Sequence, residues 1–407
     1  MTTKIALFLI PVVLISTASI ALGQTTTATL SGVIRDNSGA VIPGAKVSVR
    51  NSSTGAMRET NTDEAGRYNL TNLGPGQYEV RAERVGFSTA QSNVTLTIGG
   101  GATLDLTVQV GNVSEVVEVK AEEPLIELSK AEVSRVISQQ SIESLPIIGR
   151  NFVDFAKLSS GVAPGRENIG GGAFKEPDAG VGAAAAPRLS FGGQSELNTL
   201  VLVDGADNIQ TFTGVPRATP SQEAVREFRI LNNTFAAEYG RALAGFVNIV
   251  TKSGTNDLHG SAYFFGMNDA LNARPLLTGP NPALRQNQYG ATLGAPLKKD
   301  RSFFFGNFEG QRRAESNKFS TVILNNLEAI NQVKRFYGLT PEVTNLLRTN
   351  DYDSFLGKID HSLSASNVLS VRYSLLNSTV NGFLGGGGRA SPASTPSTWQ
   401  ARCTTTA

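Results

Sequence analysis

Residues 199–205 read TLVLVDG and residues 237–260 read AEYGRALAGFVNIVTKSGTNDLHG, and these two stretches decide the fold of the middle of the chain. The apolar run Leu200–Val203 is closed by an Asp-Gly dipeptide, which is typical of a short buried strand that ends in a turn. The second apolar run, Phe246–Val250, is stopped by the letters KSGT and predicts another buried strand.

A helix is predicted between the two strands. Thr219 offers an N-cap oxygen, Pro220 suits the first helical position, and Gln222 stands where a capping box requires it. The apolar side of this predicted helix carries Ala224, Val225 and Phe228. Strand, helix and strand together predict a small α/β unit.

The sequence motifs in these stretches also resemble those of a known protein family. The motif VLVDGADN, followed by AEYGRALAGFVNIVTKSGTNDLHG, resembles the plug domain of TonB-dependent outer-membrane receptors, with the motifs in the expected order. In that family the last plug strand leads directly into the first strand of a membrane barrel. The resemblance implies a plug over residues 112–257 and the start of an outer-membrane β-barrel over residues 258–384.

Composition narrows the classes of protein that the chain can be. With 407 residues it can hold two or three domains, and 17% charged residues with 42 glycines favour a chain rich in strands and turns. A net charge of +2 gives no reason to expect nucleic acid as a partner. One cysteine and two histidines argue against a disulfide framework and most zinc sites, so we expect no metal and no cofactor. The sequence holds no apolar run long enough for a transmembrane helix, so we expect any passage through a membrane to use a β-barrel.

Residues 1–23 have the pattern of a secretory signal. A basic residue precedes an apolar core from Ile5 to Ile15, and Ala21–Gly23 supplies a small-residue cleavage site. The alternative is a short membrane anchor, but Pro11 interrupts the apolar core, which is too brief to span a bilayer. We therefore expect an exported protein whose mature chain begins near Gln24.

Residues 27–110 consist of short alternating segments separated by turn signals such as Asn-Ser-Gly and Gly-Pro-Gly. The alternation is clean where Tyr78, Val80 and Ala82 are interleaved with polar residues. About seven such strands predict a β-sandwich, which we assign to residues 24–111.

The order of these segments resembles a known accessory module. GVIRDNSGAVIPGAKVSVRN followed by TDEAGRYNLTNLGPGQYEVRAERVGF is similar to the carboxypeptidase-regulatory-like domain, a carbohydrate-binding-like sandwich. Peptidase activity does not come with it, because the sequence has no His/Glu spacing suited to a metal ligand set. A rigid spacer or docking module is favoured over a sugar-binding site, and no sugar-binding residue can be named.

A Val-rich segment with acidic flanks, VSEVVEVKAEE, occupies Val113–Glu123. The receptor resemblance implies that the energising protein TonB captures a short segment ahead of the plug as an added β-strand, and strand addition needs only free main-chain groups and a compatible side-chain row. The candidate contact residues are Glu115, Val116, Val117, Glu118 and Val119. An equal alternative is that this segment is the first strand of the plug, and a true contact segment could instead lie near the mature N-terminus.

Further plug features surround the central stretch. Residues 126–158 begin with a helical pattern and include LPIIGRN, which matches a motif of plugs in receptors that carry this sandwich. The Gly- and Ala-rich residues 161–187 predict a mobile loop. We expect the charged residues Glu238, Arg241 and Lys252 to be paired within the plug or against barrel-wall carboxylates rather than to bind ligand. The plug-motif and plug–barrel contact residues are Arg150, Asp204, Glu238, Arg241 and Lys252.

From His259 onward the side-chain period changes to two, and long connections alternate with short ones. This rhythm favours an outer-membrane barrel, with apolar residues toward lipid and polar ones toward the lumen, over a soluble sandwich. The predicted strands are His259–Met267, Gln286–Pro296, Ser302–Glu309, Phe355–Leu363 and Leu369–Leu375, with a helical connection around Asn326–Arg348.

About five strands are too few to close a membrane barrel, and an open sheet edge is not tolerated in lipid. Residues 385–407 abandon the alternation and predict a low-complexity or out-of-frame tail. The expected fold class is therefore mainly β: an N-terminal β-sandwich, an α/β plug domain and the first strands of an incomplete antiparallel transmembrane β-barrel. As it stands, such a chain would be the N-terminal part of a receptor and not competent for transport alone.

The function implied by the resemblance is energised nutrient uptake across the outer membrane. The implied partners are the TonB energising complex, outer-membrane lipid, and a bulky ligand such as a glycan, a peptide or a metal chelate. The rival interpretation is a secreted or surface carbohydrate-binding or adhesion protein without transport. An enzyme is not expected, because the sequence offers no catalytic triad and both His259 and His361 lie within predicted strands.

Overall fold

The computed structural model describes fourteen stretches of the chain, and all structural statements refer to them. They are residues 27–111, 116–118, 134–145, 150–164, 189–209, 217, 219–232, 240, 242–271, 283–316, 321–342, 347–364, 367–381 and 405–406. The predicted signal peptide, most of the predicted mobile loop and most of the predicted tail lie outside the described residues. Among the described residues, no helix is long and apolar enough to cross a membrane.

The predicted N-terminal sandwich is present as two sheets. One sheet has the order β3-β2-β5-β6-β9, and in the other β1 pairs with β4, β7 and β8. The strands are β1 (Ala28–Asp36), β2 (Lys46–Asn51), β3 (Met57–Asn61), β4 (Arg67–Leu73), β5 (Gly76–Glu83), β6 (Thr89–Leu96), β7 (Gly101–Thr103), β8 (Leu106–Val108) and β9 (Val116–Glu118). Alternate residues of β1 and β5 are buried, because successive side chains of a strand point to opposite faces and one face packs on the opposing sheet.

The plug contains one mixed five-stranded sheet and a two-stranded one. Its elements are β10 (Ser134–Ile137), α1 (Gln139–Ser144), β11 (Val162–Pro164), β12 (Leu189–Phe191), β13 (Thr199–Val203), β14 (Ala206–Asp207), β15 (Val225–Asn232) and β16 (Gly245–Thr251). The larger sheet has the order β10-β15-β16-β13-β14, with β13 parallel to β16 and β15 antiparallel to it. Every residue of β13 and β16 is buried, so the two strands predicted from the deciding stretches are confirmed.

The helix predicted from Thr219 onward is wrong. The structure has a single 3-10 turn at Gln222–Ala224 and then strand β15. Residues Glu227–Leu231 of this strand are all buried, because β15 is covered on both faces and hydrogen-bonds to β10 and β16 on its two edges. The pairing demanded by the sheet therefore overrides the local capping pattern. Within the described part of residues 126–158, the predicted helical pattern corresponds to α1 and a 3-10 segment at Phe152–Leu158.

The C-terminal strands form one antiparallel sheet in chain order, as the sequence predicts. They are β17 (His259–Asn268), β18 (Leu284–Lys298), β19 (Ser302–Ser316), β20 (Leu347–Ser362) and β21 (Val368–Asn381), and a two-residue strand, β22 (Thr405–Thr406), pairs with β21. The connection between β19 and β20 carries the helices α2 (Thr321–Asn325) and α3 (Leu327–Phe336).

The two faces of this sheet differ in polarity. On the outer face Phe308, Ile359 and Val371 are exposed, whereas the face toward the plug buries polar and charged residues such as Glu309 and Arg372. A lipid-facing apolar surface and a polar inner surface are the arrangement of a transmembrane barrel wall.

Candidate functional site: the seam between plug and barrel strands

The contact between the plug and β17–β21 is the place where the described charges converge, and we call it the seam. Its plug side is formed by Arg150, Asp204, Ser221, Thr251 and Ser253, and its barrel side by Phe265, Asn307, Lys358, Asp360 and Arg372.

Asp204 is held in place by the turn that ends β13. Its backbone is left-handed, with a φ of 49°, and the following Gly205 has a φ of 82°. The Asp204 carboxylate accepts two hydrogen bonds from Thr251 at the end of β16: one from the backbone N–H at 2.9 Å and one from the hydroxyl at 2.7 Å. The backbone N–H of Asp204 donates to the carbonyl of Ile249. The carboxylate is therefore fixed between two neighbouring plug strands and points out of the plug.

Two barrel cations meet this carboxylate. Lys358 on β20 and Arg372 on β21 lie directly opposite each other in the strand register, and each side chain of the pair is only 8% to 9% exposed. Lys358 Nζ lies 3.6 Å from Asp204 Oδ1, and Arg372 Nη1 lies 3.4 Å from Asp204 Oδ2. Like charges at opposed positions of a strand pair repel each other, so a carboxylate placed against both offsets that repulsion and part of the cost of burying them.

The protonation state of Asp204 follows from these contacts. Burial by itself would raise its pKa, but Lys358, Arg372 and the hydrogen bonds from Thr251 outweigh that effect and hold the pKa below the ordinary value of 3.8. Asp204 is therefore ionised at neutral pH and carries the negative charge that the two cations need.

Arg150 makes a second contact across the seam. It has a left-handed backbone with a φ of 54°, and its guanidinium pairs with Glu223 of the plug at 2.7 Å. The guanidinium carbon also lies 3.7 Å from the centre of the Phe265 ring on β17 and 5.4 Å from that of Tyr263. A cation over an aromatic face is attracted by the ring quadrupole, so Arg150 links the plug to the first barrel strand.

The barrel wall next to Arg150 carries a buried polar network. Glu309 on β19 accepts hydrogen bonds from the hydroxyls of Tyr263 at 2.9 Å and Tyr352 at 2.8 Å. These three side chains belong to three different strands, so the network fixes the wall where the plug contacts it. Polar groups buried in this way need such partners, and here they find them within the wall.

Hydroxyl groups complete the seam. Ser221, in the turn before β15, donates to the side-chain oxygen of Asn307 at 2.7 Å, and Ser253, just after β16, donates to Asp360. Beside Ser221 a cavity of about 50 Å³ lies between plug and wall, with Val203, Leu356 and Arg372 among its lining residues. A cavity of this size with polar lining groups has room for water.

The structure places the charged residues predicted from the sequence in different surroundings. Arg150 and Asp204 lie in the seam and contact barrel strands, whereas Lys252 pairs with Glu143 at 3.2 Å within the plug. Glu238 and Arg241 lie outside the described residues.

Lys358 and Arg372 are the residues that the sequence interpretation did not single out. Both stand on the polar side of predicted strands, so their burial toward the lumen was expected but their pairing was not. The short connection between Ser362 and Val368 sets the register that places them opposite each other, each four residues from that strand end. Two cations at equal distances from a tight turn are the signal that could have identified them.

The candidate TonB-contact segment lies on the sandwich. Val116–Glu118 pairs in parallel with residues 89–91 of β6 and forms one edge of the five-stranded sheet. The alternative that this segment is the first strand of the plug is wrong, because β10 is the first described strand that pairs in the plug sheet. Glu115 and Val119 lie outside the described residues.

In the stretches that the structure describes, no group of three or more His, Cys, Asp or Glu side chains is placed to hold a metal ion. The seam can hold the plug against the barrel strands through charged groups and hydroxyl groups.

Two parts of the chain match known families. Residues 29–109 match the carboxypeptidase regulatory-like domain, and residues 250–332 match the outer membrane beta barrel domain. Over 264 residues the chain is 26% identical to the TonB-dependent transporter Oar of Myxococcus xanthus. The aligned region covers 61% of this chain and 23% of that protein. The chain thus spans about a quarter of the length of this curated relative.

Several solved structures are similar in part. The siderophore receptor PirA from Acinetobacter baumannii is 19% identical with a TM-score of 0.39, over 61% of this chain and 31% of that one. A ferric enterobactin receptor mutant, PfeA from Pseudomonas aeruginosa in complex with enterobactin, is 15% identical with a TM-score of 0.43, over 62% and 34%. The outer membrane transporter YddB from Escherichia coli is 12% identical with a TM-score of 0.43, over 61% and 33%.

The domain matches and the curated relative confirm the resemblance drawn from the sequence. The chain is similar to TonB-dependent outer-membrane receptors, it matches a carboxypeptidase-regulatory-like domain near its start, and its location is the outer membrane.

Replacing Asp204 tests the seam by mutation. Asp204→Asn leaves Lys358 and Arg372 opposite each other without an anion, and removing one partner of a buried ion pair costs about 3–5 kcal/mol. We expect a clear fall in the midpoint of thermal unfolding of the protein in detergent. The matched control is Asp353→Asn, which breaks the exposed Arg312–Asp353 pair on the barrel strands and is expected to cost about 1 kcal/mol or less. Equal falls for the two variants would contradict the assigned role of Asp204.

The lowered pKa of Asp204 predicts a pH dependence. Because the folded pKa lies below the ordinary 3.8, the stabilisation is fully present above that value and is lost as pH falls through the folded pKa. The difference in unfolding free energy between the protein and Asp204→Asn should therefore stay constant from about pH 8 to about pH 5 and shrink only in stronger acid. Denaturant titrations at several pH values measure it, and a difference that already shrinks between pH 8 and pH 6 would contradict an ionised Asp204.

Proposed function

We propose that this chain is the N-terminal part of a TonB-dependent outer-membrane receptor that imports a bulky ligand with energy delivered by TonB. The plug closes the path along the barrel strands, and a pull from the periplasmic side displaces it. The ligand class is a glycan, a peptide or a metal chelate. The observation that carries this proposal is the composition of the seam, in which charges and hydroxyl groups join a plug that has its own core to the barrel wall.

The plug core supports a plug that can move as a body. Sixteen buried apolar residues, among them Phe152, Phe228 and Ile249, form one cluster inside the plug. By contrast, the buried apolar cluster that joins plug and barrel consists of Ala224, Phe305 and Leu356. Separating plug and wall would therefore expose little apolar surface, and the cost of separation lies mostly in polar groups that water can solvate.

The buried charges of the seam fix the position of the plug more than they stabilise its contact with the wall. A buried ion pair contributes little net stability compared with apolar packing, because desolvation offsets much of the attraction. Its geometric demands are strict, so Asp204 fits against Lys358 and Arg372 in one position of the plug. A closed state that is well defined and still reversible is what an energised gate requires.

TonB is proposed to contact Glu115–Val119. Strand β9 ends the sheet order, so its outer edge is open to an added strand within the described part of the sandwich. The chain then leads from this segment to β10, which is the edge strand of the plug sheet and pairs with β15 over four residues. A pull at β9 would thus reach the plug at an edge strand, which has one neighbour in the sheet.

The remaining assignments belong to the same proposal. We assign residues 1–23 to a signal peptide, 24–111 to the sandwich, 112–257 to the plug and 258–384 to the opening strands of the barrel. Outer-membrane lipid is then the partner of the exposed apolar residues on β17–β21.

Binding to TonB provides the test. The purified chain in detergent is titrated with the purified periplasmic domain of TonB from the same organism, and binding is measured by calorimetry. Val117→Pro removes one main-chain donor from the proposed contact strand and is expected to weaken binding about tenfold or more. The matched control, Val85→Pro, changes an exposed residue in the turn Arg84–Phe87, where proline is tolerated, and should bind like the parent.

Two results would contradict the proposal. Absence of saturable binding by the parent chain would remove TonB as a partner and favour the rival adhesion function. Equal affinity of the parent and Val117→Pro would move the TonB contact away from Glu115–Val119.

A further inference from the structure

The sandwich is docked on the plug through two charged residues of β15. Glu227 accepts a hydrogen bond from the backbone N–H of Ile98 at 2.6 Å, and Arg229 donates to the carbonyl oxygen of Gly99 at 2.6 Å. Glu227 is 6% exposed and Arg229 is 2% exposed, although both are charged. Their partners lie in the turn between β6 and β7 of the sandwich, so this turn covers the middle of β15.

Ile98 adds an apolar contact to the docking. Its side chain is 0% exposed, yet it is not one of the residues of the sandwich core cluster. Its own N–H bonds to Glu227 and the next residue lies against Arg229, so Ile98 is buried where the sandwich meets the plug. Apolar groups buried at such a contact add to its specificity.

The sandwich makes a second contact next to the barrel strands. We call the two contact regions of the sandwich its feet: Ile98 and Gly99 form the first, and Ser53 and Gly55 form the second. The backbone N–H of Asn256, between β16 and β17, donates to the carbonyl of Ser53 at 3.0 Å. The Asn256 side chain exchanges two hydrogen bonds with Asp300 in the turn between β18 and β19, at 2.7 Å and 2.8 Å. Gly55 packs against the Asp300 carboxylate so closely that a β-carbon there would overlap it.

We propose that the sandwich is a brace that spans the seam and holds the plug in its closed position. One foot, Ile98 and Gly99, contacts plug strand β15; the other, Ser53 and Gly55, contacts Asn256 in the link between β16 and β17 and Asp300 in the turn between β18 and β19. The plug cannot move relative to the wall while both feet are in place, so displacement of the plug requires release of at least one of them. The inference rests on the proposed function for the meaning of closed and open, but the docking itself does not depend on it.

The chemistry of the two feet makes the brace releasable. Apart from the Ile98 side chain, the sandwich contributes backbone groups to these hydrogen bonds: the N–H of Ile98 and the carbonyl oxygens of Gly99 and Ser53. Water can replace those partners when the feet separate, so release leaves no large apolar surface exposed. Burial raises the pKa of Glu227, which is the expected result of the sandwich turn excluding water from this carboxylate.

The glycines at the two feet allow a matched experiment. Gly99 has a φ of 59° and Gly55 a φ of 69°, and a β-carbon would meet Arg229 at the first and Asp300 at the second. Gly39 and Gly86, in sandwich turns, have φ values of 86° and 90° and no atom within 4 Å of the corresponding position. Alanine imposes left-handed backbone strain at all four sites, but only Gly99→Ala and Gly55→Ala disturb a foot.

Opening of the seam is measured with a cysteine introduced into the cavity between plug and barrel wall. Ser354→Cys places a thiol on the wall where the plug covers it, on a background in which Cys403, the single native cysteine, is serine. The full chain is reconstituted in outer-membrane lipid, and the rate of maleimide labelling is measured. Hydrogen exchange of the Ile98 amide, followed in the same samples, reports whether the first foot is docked.

We expect Gly99→Ala and Gly55→Ala to raise the labelling rate about tenfold or more, because labelling follows the open fraction, while Gly39→Ala and Gly86→Ala stay at the parent rate. Gly99→Ala should also speed exchange of the Ile98 amide. Unchanged exchange at Ile98 would overturn the docking. Faster exchange with unchanged labelling would overturn the brace, since the sandwich would then dock without holding the plug. Neither readout needs TonB or a ligand, so a failure here is distinct from a failure of the proposed function.

Discussion

The carboxylate of Asp204, set between Lys358 and Arg372, is the interaction on which the arrangement of plug and barrel strands depends. The strand register puts the two cations face to face on β20 and β21, where they repel each other and are almost cut off from water. One anion from the plug satisfies both, and Thr251 fixes the position of that anion relative to β16. The wall strands and the plug strands therefore each complete a site that neither could bury alone.

The same logic of separate cores joined by polar contacts recurs at each boundary. The sandwich and the plug each bury a large apolar cluster of their own, whereas the contacts between them, and between each of them and the barrel strands, are mainly hydrogen bonds and ion pairs. Interiors packed in this way resist deformation, and polar boundaries can separate and rejoin. In such a chain the domains can separate at the seam and at the two feet of the sandwich, whereas the sheets themselves stay rigid.

Much of this fold can be predicted from the sequence, because strand patterns are local. The buried run Leu200–Val203, the alternation around Ile359 and the tight turn after Ser362 all report the side-chain period directly. The predicted helix at Thr219 failed because the capping residues are local, whereas the need of β16 for a partner on its free edge is not. Asp204 and Arg150 could be proposed as contact residues, but their partners could not, because those depend on where the wall strands stand around the plug. The seating of Ile98 on β15 joins residues about 130 positions apart, and no local pattern announces such a contact.

The central claim is that Asp204 and Arg372 act on each other across the seam, and a double-mutant cycle measures this most directly. Unfolding free energies in detergent are determined for the parent chain, Asp204→Asn, Arg372→Gln and the double variant. If the two side chains interact as described, the double variant is less destabilised than the sum of the single variants, with a coupling of about 1 kcal/mol or more. Strict additivity would mean that the charges do not meet, and the assigned seam would be contradicted.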